Sequence, residues 1–155
     1  MAFDLNRFRE TEFNHRTDTI SVPNLKAFFG EKEEPVWKVR NLSAAELASI
    51  EAEIARNRSV RQAADLAEGE GQTEQNLDAL KTLLGIIPDS VPDHHVGRLV
   101  AVELASIEPK VTRRDAVLLA ERFANDFTRI YESIQQLTLM GAEEKKSPSS
   151  GETPE

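Results

Sequence analysis

The stretch Thr112-RRDAVLLAERFANDFTRIYESIQQLTL-Met140 combines a start signal, a sustained apolar stripe and a stop. Thr112 followed by Asp115 three residues later is a capping-box pair, and Pro109 upstream keeps a preceding helix from running through. Ala116, Ala120, Phe123, Phe127, Ile130, Ile134 and Leu137 then alternate at spacings of four and three, the pattern of one continuous helical seam ending before Gly141. At 1.5 Å per residue such a helix is roughly 42 Å long, longer than a small domain is wide. Two readings of the seam stay open. It lies in the core of one domain, or part of it packs against another chain.

The elements upstream supply candidate cover. The segment 93–107 has the apolar face Val96, Leu99, Val100, Leu104 and Ile107, and a short connection makes it the antiparallel partner of the Ala116 to Phe127 half of the long helix. Ile130, Ile134, Leu137 and Leu139 lie beyond that pairing. Either the amino-terminal strands cover them or they form an apolar patch for association. Phe123, Phe127, Ile130, Ile134 and Leu137 are accordingly the candidate partner-binding residues.

Nearer the amino terminus, Thr17 to Val22 and Val36 to Arg40 alternate as two short strands, joined by a long polar link with Gly30, Glu31, Glu33 and Glu34. Leu42-Ser43-Ala44-Ala45-Glu46-Leu47 is a capping box inside a hydrophobic staple, so a helix starts at Ala44, with Leu47, Ile50 and Ile54 on its face. It reaches about Arg56, and Ala63, Ala64, Leu66 and Ala67 can carry it on to the break at Glu68-Gly69-Glu70-Gly71. Thr73 caps a further helix with Leu77, Leu80, Leu83 and Leu84, stopped by Gly85, and Ile86-Ile87-Pro88 with Val91-Pro92 forms a rigid connector. Residues 1–16 are an arm with Phe3, Phe8 and Phe13, either clipped to the domain or held for a partner. Residues 142–155, without an apolar side chain beyond Ala142, form a disordered tail. The fold expected is mainly α: one helical domain over 17–141, a short amino-terminal antiparallel β element and a long C-terminal helix.

Composition narrows the function. The 155 residues carry a formal charge of −8 and no cysteine, which excludes thiol nucleophiles, disulfides and cysteine zinc sites and argues against nucleic acid as a partner. Neither a membrane-length apolar run nor a signal peptide is present. His94 and His95 are adjacent, so on a helix they point about 100° apart and cannot clasp one metal. Glycine-rich phosphate loops and Gly-x-Ser-x-Gly elbows are missing. Arg56, Arg58 and Arg61 are too few for a nucleic-acid surface, and Glu103 falls on a wet helix face. The expectation is a protein-binding factor, not an enzyme, with neither cofactor nor metal.

A charged amino-terminal segment, a strand leading into Val22-Pro23, the run Val36-Trp37-Lys38-Val39-Arg40-Asn41-Leu42-Ser43-Ala44-Ala45-Glu46 and an acidic helical remainder together resemble the tail assembly chaperones of long-tailed phages. The resemblance covers Thr17 to Met140 and contains no catalytic signature. It implies a host-cytoplasmic protein that binds the tape-measure protein during tail assembly and is absent from the finished particle. It also implies a longer, frameshifted product that recruits tail-tube subunits. A structural tail or neck component and a helical adaptor unrelated to phage are the alternatives, and self-association fits all three.

Overall fold

The computed structural model describes residues 2–67 and 93–145. The expected helix from Thr73, the connector before Pro92 and the segment from Ser147 onward lie outside the described residues.

Alternation builds the centre of the fold. β2 (Thr17–Ser21) pairs antiparallel with β3 (Val36–Arg40), Ile20 opposite Trp37 and Asp18 opposite Val39, so these four side chains share one face. A third strand, β4 (Ser106–Glu108), adds to β3 with a register shift at Lys38/Val39, giving the order β2-β3-β4. The sequence reading ran a helix through these residues to Ile107. The helix α3 (Asp93–Ala105) instead ends at Ala105, because Pro109 biases its predecessor toward extended backbone and buried Ser106 accepts a 3.0 Å hydrogen bond from Trp37 Nε1.

The long carboxy-terminal helix requires correction as well. The seam belongs to two helices, α4 (Arg113–Arg122) and α5 (Ala124–Met140), broken at Phe123, whose φ of −133° and ψ of 57° are not helical. The break turns Phe123 edge-on to Phe28, ring centroids 6.0 Å apart, and frees α5 to cross β2 and β3 while α4 packs on α3. The four-and-three spacing hides it, since a single non-helical residue displaces the apolar phase too little to show. With three strands in the sheet and a second, two-stranded ribbon, the fold is mixed α/β with helices dominant rather than a helical domain with a minor β element.

The core lies between α5 and the inner sheet face, with α3 at its centre: Val96, Leu99, Val100, Val102 and Ala105 are all buried. On the far side of α3, α2 (Ala44–Ala67) closes the layer. Its approach is set by Gly97, where a Cβ would stand 3.2 Å from Ile54 Cδ1. The amino-terminal arm forms α1 (Leu5–Glu10) and β1 (Phe13–Asn14), and β1 pairs with β5 (Glu143–Glu144). Residues 143–145, expected in the disordered tail, are therefore ordered against the arm. Among the described residues no helix is long and apolar enough to cross a membrane.

Candidate protein-binding groove

The five residues singled out as a partner surface lie inward. Ile130 is 0% and Ile134 1% exposed, Phe127 and Leu137 are also buried, and Phe123 is partly buried against the core. Strands β2 and β3 lie across α5 and cover the stripe that α3 does not reach. Ser133 Oγ ties the helix to β2 through a 2.6 Å bond to Asp18 Oδ2. As an association surface this seam is closed off.

The run that carries the resemblance is a clasp. Arg40 donates from Nη1 and Nη2 to the two carboxylate oxygens of Glu46 at 3.0 and 2.6 Å, and from Nη2 to the carbonyl of Leu104 at 3.0 Å. Glu46 in turn accepts from Ser43 N at 2.8 Å, and Ser43 Oγ accepts from Glu46 N, completing the capping box. The Arg40 hydrogen bonds, reinforced by those from Ser43, hold the Glu46 carboxyl down at about 2. Buried Asn41 accepts from Arg16 N at 2.9 Å, and Leu42 N donates to Thr138 Oγ1 at 3.0 Å. One strand-to-helix turn thus joins β3, α2, α3 and α5. Arg40, Asn41, Ser43 and Glu46 each have a structural task there.

An opening of about 960 Å³ lies instead between α4, the 3₁₀ segment Pro23–Phe28 with the acidic loop that follows it, and β3–β4. Its α4 wall is a helical stripe of Asp115, Leu118, Leu119 and Arg122; Phe123 at the helix break, with Phe28, Phe29, Leu25 and Val36, completes an apolar lining. Two apolar side chains stand out from this surface: Phe28 is 74% exposed and Leu118 41%. Glu33, Glu34, Glu108 and Asp115 rim it against Lys38 and Arg122, and Lys38 already faces Glu108 in register. Thr112 N–H, then its hydroxyl, donates to the Asp115 carboxylate and holds its pKa below the usual range. The groove is apolar inside and net acidic at its edge.

Its position is fixed from behind. Asn24 Nδ2, on the 3₁₀ segment, donates at 3.0 Å to Asp126 Oδ2, a carboxylate only 1% exposed in the first turn of α5. Leu25 is buried beneath the same segment, so Phe28 is held out over the groove by anchors at both Asn24 and Leu25.

Other candidates do not assemble a site. Among the described residues no three His, Asp or Glu side chains could hold a metal ion. His15 Nδ1 lies 3.1 Å from Asn41 Oδ1, and the His95 ring packs 6.5 Å from that of Phe127. Glu103, read as solvated, accepts a 2.6 Å bond from Arg113 Nε and is partly buried. The groove residues carried a faint sequence signal: Leu118 is apolar but off the four-and-three seam, and Phe28-Phe29 sits in a link otherwise read as polar. Comparison with family models, with curated proteins and with solved structures finds no match.

Proposed function

We propose that this chain is a protein-binding assembly factor of the tail assembly chaperone kind. In this reading the groove between α4 and the 3₁₀ segment takes an apolar segment of the tape-measure protein in the host cytoplasm and releases it before the particle is complete. A longer frameshifted product would carry the same groove and recruit tail-tube subunits through its extension. The observation that carries the reading is the acid-rimmed apolar groove with Phe28 and Leu118 exposed, since a concave apolar surface with a few placed charges is what a protein uses to bind. The acidic edge favours a segment flanked by Lys or Arg and keeps the free protein soluble.

Co-expression with the tape-measure protein of the same genome tests this. The pair should co-purify, and Leu118→Ser, which alters a half-exposed side chain, should remove the complex while leaving the thermal midpoint in place. Failure of the native pair to co-purify, or an undiminished complex with the variant, would refute the reading. The genome supplies an independent check: an overlapping downstream frame followed by a very long helical reading frame is the expected neighbourhood.

A further inference from the structure

The arm and the tail form a second apolar surface, separate from the groove. Phe3, Phe8 and Phe13 stack in series, successive ring centroids 5.5 Å apart, yet Phe3 is 74% and Phe8 51% exposed. Leu5 is exposed beside them in sequence, and Leu139 and Met140, at the end of α5, are exposed too. Helix α1 has six residues and buries none of them. The ribbon β1–β5 consists of two residues from each strand, all exposed. A six-residue helix and a two-stranded ribbon are each marginal in water without a surface to pack on.

Charge identifies what could cover them. Residues 2–16 hold three acids and three arginines, and Glu143, Glu144 and Lys145 bring the ribbon to only −1 of the chain's −8. Two copies of an acidic protein repel one another over most of their surface, and least where the charge is nearly balanced. The charges of the ribbon are also paired within one chain, with Arg7 3.5 Å from Glu144 and Lys145 2.8 Å from Glu12. They therefore bring little unpaired charge to a contact between copies. The net-acidic groove, by contrast, suits no second copy of this chain.

We infer that the aromatic ribbon is a self-association surface, and that two copies of the chain meet ribbon to ribbon in a two-fold dimer with the phenylalanine series at its centre. The inference does not rest on the groove's function. None of the ribbon residues lines the groove.

Sedimentation equilibrium of the full chain tests it. The native protein should show a reversible species of twice 17.3 kDa. Phe3→Ser combined with Phe8→Ser should raise the dissociation constant at least about tenfold while the circular dichroism spectrum and thermal midpoint stay as they are. Should the double variant disturb the fold, Phe3→Ser alone, at the most exposed of the three rings, is to show the same direction of change. A native protein that stays monomeric up to millimolar concentration overturns the inference, and so does a dimer that the ribbon variants leave untouched. Leu118→Ser should leave the dimer intact; if it dissociates the dimer, the contact lies at the groove and the ribbon assignment fails.

Discussion

Glu46 closes a helix cap and receives the fork of Arg40 at once. Its folded pKa of about 2 lies below its ordinary 4.5, so the stability it contributes is full above about pH 4.5 and is lost as the pH falls toward 2. Urea midpoints measured across that window should decline in the native chain, and Glu46→Gln should flatten the decline. Ser43→Ala removes the other half of the cap and should cost about 1 kcal/mol, read from the same titrations. Asn24→Ala is a sharper test of the groove's support. It strips the hydrogen bond from a buried carboxylate whose other oxygen, Asp126 Oδ1, already has no partner, and should destabilise by about 1–3 kcal/mol.

The elements divide into those whose sequence pattern determines them and those that depend on distant residues. The β2–β3 pair, the start of α2 at Ala44 and the capping box at Thr112 were legible because alternation and capping are local. The break at Phe123 was not, because what favours it is Phe28, far away in the chain. β4 was hidden for a similar reason: Ser106-Ile107-Glu108 continues the helical period of α3, and only its pairing with β3 and the Trp37 bond make it a strand. The seam itself was read correctly as one apolar face, but whether it faced a core or a partner depended on where the strands would lie. Ile134→Ala should therefore cost about 2–5 kcal/mol. Leu139→Ala on the same helix, where the side chain is 85% exposed, should stay within about 0.5 kcal/mol. Amide exchange should follow the same division, slow across β2 and β3 and fast across β1 and β5, whose residues are exposed.

At the scale of the whole molecule, an acidic chain has closed the Ala116 to Leu137 seam into its core and, among the described residues, leaves apolar side chains exposed at the groove and at the amino-terminal ribbon. The groove carries an acid-rich rim and the ribbon a nearly balanced charge, so the occupants proposed for them differ in charge. Of the candidate residues drawn from the sequence, Phe127, Ile130, Ile134 and Leu137 are buried in the core, whereas Phe123 also lines the groove. Leu118 lies off the seam and is 41% exposed. The most direct test is a calorimetric titration of the purified chain with a synthetic helical peptide of leucine and lysine, beside the same peptide with glutamate for lysine. The lysine peptide should bind saturably, more weakly as salt is added, and at least about tenfold more weakly to a Phe28→Ser, Leu118→Ser variant. Equal binding of the two peptides, or binding that the variant leaves unchanged, would contradict the assignment of the groove.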